Sequence, residues 1–401
     1  MRICVQKYGG TSLAAPESRL SALHHVEEAL GQGFRVVVVV SAMGRKGSPY
    51  ATDTLLGILD DKDTATKRDL DMLLSCGETI SSVVFASLLR SHGHDVTVFT
   101  GKQAGIITND TFGEARIIEV NPALVLEALD QGKIVIVMGF QGATQDGELT
   151  TLGRGGSDIT ASALGVALKA EFVDIFTDVP GIMTADPRIV PDARPLRHVT
   201  YYEICNLAYQ GAKVIHPRSV EMAMQNNIPI RVRSTFSDDE GTHITTDTAI
   251  LECSVLTDRV VTSLTQTADV SQLQIRGPVD VSRVFAEMAE HKISVELMSV
   301  LSSHITFTVA DRDTGRAVDV LNSIGYDPKV IENCAKISII GESMAGIPGI
   351  MSVVVSALAH EGIEILQTAD SHTTIWCLVR KEDMESAIRA IHRAFHLEKC
   401  P

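Results

Sequence analysis

Several things are scarce in this chain, and each absence excludes something. Aromatic residues make up only 4% of its 401 residues, no stripe of Lys and Arg occurs, and the formal charge is −15. Without a basic face or a stacking platform, no nucleic-acid partner is expected. Apolar runs are short, Val36 to Val40 being typical, and fall far below the ~20 residues that span a bilayer, so no membrane is expected. Arg2 and Lys7 bracket too brief an apolar stretch for a signal peptide. The seven cysteines, Cys4, Cys76, Cys205, Cys253, Cys334, Cys377 and Cys400, are scattered, odd in number and never spaced CxxC. That excludes a disulfide framework and a zinc knuckle, and points to reduced thiols in a cytoplasm. His92/His94 fall in a turn and His392/His396 on a solvated helix face, so no metal held by protein side chains is expected. The patterns GxxxxGK[ST], GxGxxG and GxSxG are missing too, which disfavours the common phosphate-loop, dinucleotide and hydrolase-elbow enzymes.

What is present describes a globular protein of two or three domains, with 45% apolar and 21% charged residues. Up to about residue 240, short β-branched runs alternate with helical spacing. The runs are Ile3–Gln6, Val36–Val40, Val96–Phe99, Ile134–Met138, Phe172–Phe176 and Ile230–Val232; helices are expected over Leu73–Arg90 and Ala161–Ala170. Near-continuous apolar strands alternating with helices imply an α/β domain with a largely parallel sheet sandwiched by helices. Ligands of such sheets sit beyond the carboxyl ends of the strands. The remainder is different. Val284–Ser294 overlays Val354–Glu364 without a gap, and the same offset of 70 aligns Ile305 with Ile375, Asp313 with Asp383 and Pro278 with Pro348. A constant offset over so many positions marks a tandem repeat. Each unit reads strand, helix, strand, strand, helix and a short closing strand, the ferredoxin-like order. The expected domains are 1–240, a polar linker 241–260, and repeats 261–333 and 334–401.

An acidic protein that binds an anion must concentrate its cations, which directs attention to Lys7, Arg154, Arg188 and Lys213. "KYGGTS" (7–12) follows a strand and is, by itself, either an ordinary turn or an anion loop. "TTLGRGGSDITASALGVAL" (150–168) sets Arg154 among glycines, with Ser157 where an N-cap would stand before a helix, a position suited to anions. "FTDVPGIMTADPR" (176–188) ends a strand with Thr177 and Asp178, then offers Asp186 and Arg188. Glu78, after Gly77 in an apolar helix, is either exposed by helix phase or used to hold a cation such as an ammonium. "GAKVIHPR" (211–218) adds Lys213 and Arg218.

Taken in order over the whole chain, "KYGGTS", "SAMG" (41–44), "GRGGSD" (153–158), "TDVPGIMTADPR" (177–188) and "GAKVIHPR" resemble the aspartokinases of the amino-acid kinase family. The C-terminal repeats resemble paired ACT domains, the amino-acid-sensing modules of that family. The resemblance implies phosphoryl transfer from ATP, with Mg²⁺ carried by the nucleotide, to the β-carboxylate of L-aspartate. It places Lys7, Tyr8, Gly9, Gly10, Ser41, Thr177, Asp178, Met183, Thr184, Ala185, Asp186, Pro187, Arg188 and Lys213 at nucleotide positions. Thr52, Glu78, Arg154, Gly155, Gly156 and Ser157 fall at aspartate positions, Lys7, Arg154 and Asp158 are the catalytic set, and Asp158 orients Lys7 or the metal's waters. It further implies a homodimer through the ACT pair and an allosteric amino acid: diaminopimelate, lysine or threonine. Met344, Gly346, Ile347, Pro348 and Gly349 are the expected effector contacts. Two departures stand out: Met183 replaces the aromatic residue of many relatives, and "RGPVDVS" (276–282) lacks the Asp-x-Pro-Gly start that Pro348-Gly349 retains in part. "LQTADSHTTIWCLV" (366–379) looks most like the diaminopimelate-sensitive forms of spore-forming bacilli. The alternatives are a glutamate-type amino-acid kinase and an inactive ACT sensor.

Overall fold

The computed structural model describes residues 1–61, 64–212, 214–246, 260–341, 344 and 346–399. These fall into two compact units. The first comprises Met1–Ile182, Pro195–Ala208 and Lys213–Ser254; the second comprises Met183–Arg194, Tyr209–Ala212 and Val255–Pro401. Two short stretches before residue 240 therefore pack with the C-terminal half. Within the span expected as linker, Thr242–Ile244 is a strand of the first unit's sheet, and 247–259 lie outside the described residues.

The first unit is built on eight strands in the order His198–Val199, Thr242–Ile244, Ile230–Ser234, Phe172–Thr177, Ile3–Tyr8, Arg35–Val40, Ile134–Met138, Val96–Phe99. All neighbours run parallel except Ile230–Ser234 with Thr242–Ile244. Val36 to Val40 are fully buried because helices cover both faces; each such valine contributes roughly 1.5–3 kcal/mol. All six expected runs are strands of this sheet. A separate four-stranded sheet, Ile117–Val120, Ile106–Thr108, Gln141–Ala143 and Leu149–Thr151, leads the chain into the Arg154 loop.

Two helices begin earlier than their apolar spacing suggests. The helix expected from Leu73 starts at Lys67, because Thr66 and Asp69 form a capping box. At Lys67–Ser91 its 25 residues are apolar enough, by length and composition, to cross a membrane. The apolarity serves the core, where Phe85, Ala86 and Leu89 join the main cluster, while Asp71, Ser75, Glu78, Ser81 and Ser82 are also buried. The second helix, expected from Ala161, is Gly156–Ala167.

In the second unit, elements recur at the 70-residue offset. Helix Val281–Glu290 is matched by Ile350–His360, strand His304–Ala310 by Thr374–Arg380, and helix Thr314–Ser323 by Met384–Ala394. The strands form one sheet in the order Glu296–Leu301, His304–Ala310, Ser263–Arg276, Lys329–Ile340, Thr374–Arg380, Gln367–Asp370. The closing strands are where expectation and structure part. After Met384–Ala394 no strand follows among the described residues. Its place beside Lys336–Ile340 is taken by Ser263–Thr267, the opening of the long strand that begins the first half. The register shifts after Thr267, where Asp269 has φ 60°, let a single strand serve both halves.

Candidate active site

A cavity of about 710 Å³ opens beyond the carboxyl ends of Ile3–Tyr8, Arg35–Val40 and Ile134–Met138. It gathers ten of the expected residues: Lys7, Gly10, Ser41, Thr52, Glu78, Arg154, Gly155, Gly156, Ser157 and Asp158. Asp53, Lys67, Asp71, Phe112, Glu114 and Phe140 share its wall.

Lys7 is a residue of the first strand, and its Nζ lies 2.7 Å from Asp158 Oδ1, an ion pair by distance though off the line of a hydrogen bond. The main-chain N–H of His216 donates to Asp158 Oδ2 at 3.3 Å, so the carboxylate is held from both sides. His216 also caps helix Pro217–Gln225, and burial lowers its pKa. The sequence does not single it out, because its contribution to Asp158 comes from the main chain. Arg218 is structural: its guanidinium donates to the carbonyls of Leu152 and Ala115 at 3.2 and 3.5 Å.

Arg154 stands between Gly153 and Gly155, both left-handed at φ 76° and 71°. A Cβ on Gly155 would overlap the His216 ring, so that position excludes other residues twice over. Gly155 is itself the N-cap, which moves Ser157 from the expected cap into the first helical turn, beside Asp158. Arg154 is exposed and makes no ion pair among the described residues.

Glu78 is only 2% exposed. Gly77 brings its helix against Ala42, where a Cβ would meet that of Ala42 at 2.6 Å, and the Ala42 N–H donates to Glu78 Oε1 at 2.9 Å. Oε2 has no hydrogen-bond partner, and burial pushes the carboxyl up to about 8. A buried carboxyl with one orphan oxygen on a cavity wall can receive a cation, whose charge would favour the ionised form. Asp71, also buried, is different. It accepts from Thr151 Oγ1, Thr151 N and Gly113 N at 2.6, 2.8 and 3.0 Å, and so fixes the loop facing Arg154.

The "KYGG" stretch departs from expectation in part. Tyr8 is fully buried: its ring stacks on Phe176 at 4.8 Å, and its hydroxyl donates to the Gln6 side chain and the Ala22 carbonyl, both at 3.1 Å. Its side chain therefore faces the core, not a nucleotide. Gly9 N–H is engaged by the Phe176 carbonyl at 3.3 Å. Gly10 is small because the carbonyls of Ala42 and Gly44 would lie 2.6 and 2.5 Å from a Cβ. Thr177 and Asp178 end strand Phe172–Thr177 and do not line the cavity; Arg45 pairs with Asp178.

Met183 to Arg188, also expected at the nucleotide, lie in the second unit. Thr184 and Ala185 are buried there at 1% and 2% exposure, which leaves no free side chain at either. Arg188 chelates Asp186 at 3.0 and 2.7 Å and holds that carboxyl below its usual range. Lys213 lies outside the described residues. Among the expected effector contacts, Met344 is a core residue, whereas Gly346 to Gly349 are exposed and lead into helix Ile350–His360.

Comparison with known proteins fits this arrangement. The amino acid kinase family matches residues 2–234, and an ACT domain matches residues 329–393. Aspartokinase 1 of Bacillus subtilis (strain 168) is 52% identical over 404 residues, covering 100% of both chains. The aspartokinase of Mycolicibacterium smegmatis is 40% identical, covering 99% of this chain and 97% of its own. The crystal structure of E. coli aspartokinase III in complex with aspartate and ADP (R-state) matches with a TM-score of 0.75 at 26% identity, over 98% of this chain and 99% of that one. The same enzyme in complex with lysine and aspartate (T-state) gives 0.71 over the same shares. With a family match over more than half its length and a full-length relative at 52% identity, the chain belongs to the amino acid kinase family and, within it, to the aspartokinases.

Proposed function

We propose that the chain transfers the γ-phosphoryl group of MgATP to the β-carboxylate of L-aspartate, giving 4-phospho-L-aspartate and ADP. The observation that carries this reading is the cavity wall itself. Exposed Arg154 and the orphan Glu78 Oε2 answer the α-carboxylate and ammonium of an amino acid, with the Lys7–Asp158 pair on the same wall. Arg154 offers a fork for a carboxylate. Thr52 and Ser157 add hydroxyl-bearing side chains to the lining of the same cavity. A β-carboxyl group in water titrates near about 3.9 and is already ionised at neutral pH, so the step needs no general base. It needs alignment and neutralisation of charge on the moving phosphoryl group, which Lys7 provides from the protein. Asp158 keeps Lys7 in place, and its second contact, to His216 N–H, keeps Asp158 in place. Mg²⁺ would arrive on the nucleotide and neutralise phosphate charge there, with Asp158 facing its waters. In this reading Thr177, Asp178, Met183–Arg188 and Lys213 serve the nucleotide, Thr184 and Ala185 through their main chain.

The remaining parts of the reading are finer. The C-terminal stretches would be a tandem ACT pair that senses an amino acid, diaminopimelate being the first to test and lysine and threonine the others. The edge strand Glu296–Leu301, with Met298, Val300 and Leu301 exposed, supports a homodimer. The product would enter lysine, diaminopimelate and threonine biosynthesis, in the cytoplasm. Trapping acyl phosphate with hydroxylamine tests the reaction. ATP-dependent aspartyl hydroxamate is expected, and its absence from aspartate, with glutamate or N-acetylglutamate reacting instead, would overturn the substrate.

A further inference from the structure

One buried acid on the cavity wall has no part in the proposed reaction. Asp71 lies on helix Lys67–Ser91, seven residues before Glu78, and is fully buried. At 3.6 residues per turn that spacing is close to two turns, so the two acids share one face of a single helix. Their environments differ. Glu78 keeps an orphan oxygen, whereas both oxygens of Asp71 are taken up by protein donors. A carboxylate in a dry interior is costly unless hydrogen bonds replace its water, so what Asp71 holds accounts for its place.

What it holds is the approach to Arg154. Oδ1 accepts from Thr151 Oγ1 at 2.6 Å, and Oδ2 from the main-chain N–H groups of Thr151 at 2.8 Å and Gly113 at 3.0 Å. Thr151 ends strand Leu149–Thr151, three residues before Arg154. Gly113 belongs to the loop between Ile106–Thr108 and Ile117–Val120, which Asn109 and Arg116 close with hydrogen bonds of 3.0 and 2.8 Å. The two segments also grip each other. Ala115 N–H donates to the Thr151 carbonyl at 2.9 Å, and the Gly113 carbonyl lies 3.2 Å from where a Cβ on Gly153 would stand. Gly113 and Glu114 thus back the turn from which Arg154 projects, and both line the cavity with Phe112. Asp71 joins the helix that carries Glu78 to the strand that delivers Arg154.

We infer that Asp71 is a positioning residue that sets where Arg154 stands relative to Glu78, and with it the joint grip on the amino acid's carboxylate and ammonium. This rests on the roles proposed above for Arg154 and Glu78. A ligand held at two charged points tolerates little error in their separation, and a displacement of about 1 Å can cost on the order of 10²-fold. The bonds of Asp71 go to the segments around Arg154, so its loss falls on the amino-acid half of the reaction and spares the nucleotide half.

The test uses the purified full-length chain. In Asp71→Ala the KM for aspartate should rise about 10- to 100-fold in the hydroxamate assay, with that for ATP within about twofold. Asp71→Asn should recover most of the loss, because its oxygen can serve both N–H groups while its NH₂ donates to Thr151 Oγ1. With Asp71→Ala and Arg154→Lys combined, the rise should fall short of the product of the two singles, since both act at one fork. Equal rises in both KM values, or effects that multiply, are what a merely structural acid would give, and either would overturn the inference. If Asp71→Ala fails to fold, Thr151→Val decides. It keeps both main-chain bonds and loses one hydroxyl, so the aspartate KM should rise about 3- to 10-fold, and Thr151→Ser should restore it; an unchanged KM overturns the inference. Should the wild type form no aspartyl hydroxamate, the substrate reading falls, and hydrogen exchange in the ligand-free chain still judges the joint. Faster exchange at Gly113 and over 151–155 in Asp71→Ala upholds it, and unchanged exchange overturns it.

Discussion

Glu78 gives the sharpest quantitative test. Burial raises its carboxyl from an ordinary value of 4.5 to about 8, so the folded chain prefers it protonated. Such a group favours folding below pH 4.5 and loses that contribution as pH rises toward 8. Between those values the unfolded chain has released this proton and the native one has not. Stability therefore falls by about 1.4 kcal/mol per pH unit, or roughly 3 kcal/mol at pH 7 and nearly 5 at pH 9. Glu78→Gln keeps an acceptor for Ala42 N–H and has nothing to titrate. The fixed cost of burying its NH₂ group cancels when the two proteins are compared across pH. Urea unfolding at pH 5.5, 7 and 8.5, without ligands, should show the wild type losing about 3 kcal/mol relative to the variant over that range. The variant should also lose most of its affinity for aspartate, since the charge that meets the ammonium is gone. Parallel stability profiles for the two proteins would refute the argument, whatever happened to activity.

Other outcomes follow from the same cavity. Lys7→Ala should keep the fold and aspartate binding but lose turnover by on the order of 10²–10³, the usual effect of removing one preorganised charge; near-normal kcat in the hydroxamate assay would remove Lys7 from its role. Arg154→Lys keeps the charge and loses the fork, so the KM for aspartate should rise at least about tenfold, with that for ATP nearly unchanged; equal rises in both would contradict the clamp. Gly155→Ala must place a side chain at φ 71° against the His216 ring. It should destabilise the chain by about 1–3 kcal/mol in urea unfolding and lower kcat through Asp158, which His216 N–H holds; wild-type stability would show that the loop rearranges freely.

How far the sequence reveals this molecule depends on which forces act locally. The valine-rich strands were legible because double-sided burial demands uninterrupted apolar residues. The strands His198–Val199 and Gln141–Ala143 were not: two or three residues carry no period, and the first pairs with Thr242–Ile244, far along the chain. Glu78 was legible as an anomaly, an acid in an apolar helix, although its orphan oxygen was not. Ser157 was misplaced because Ser is the commoner cap, and glycines at 153, 155 and 156 do not by themselves say which one turns left-handed to set the helix start. His216 could not be found from side-chain chemistry at all. The Met183–Arg194 stretch reads as a loop, yet Ile189 and Val190 within it need a core, and that was the one local hint that it packs elsewhere.

A carboxyl raised to about 8 in a cavity commonly serves as a general base. Here two observations argue for another use. One of its oxygens is already held by Ala42 N–H, and the nucleophile of the proposed reaction is a carboxylate that is ionised without help. What the raised value does is select. A free amino acid brings an ammonium that draws the proton off Glu78 and satisfies Oε2, so the burial cost is offset only when the ligand is cationic at that point. An N-acylated amino acid offers an amide in its place and leaves a neutral acid, or an uncompensated buried charge, behind it. Sites built around a buried polar partner reject ligands that lack the match far more strongly than apolar pockets reject a missing methylene. In the proposed reaction Glu78 would therefore act on substrate choice: aspartate binding near pH 7 should release close to one proton, whereas N-acetylaspartate should release none.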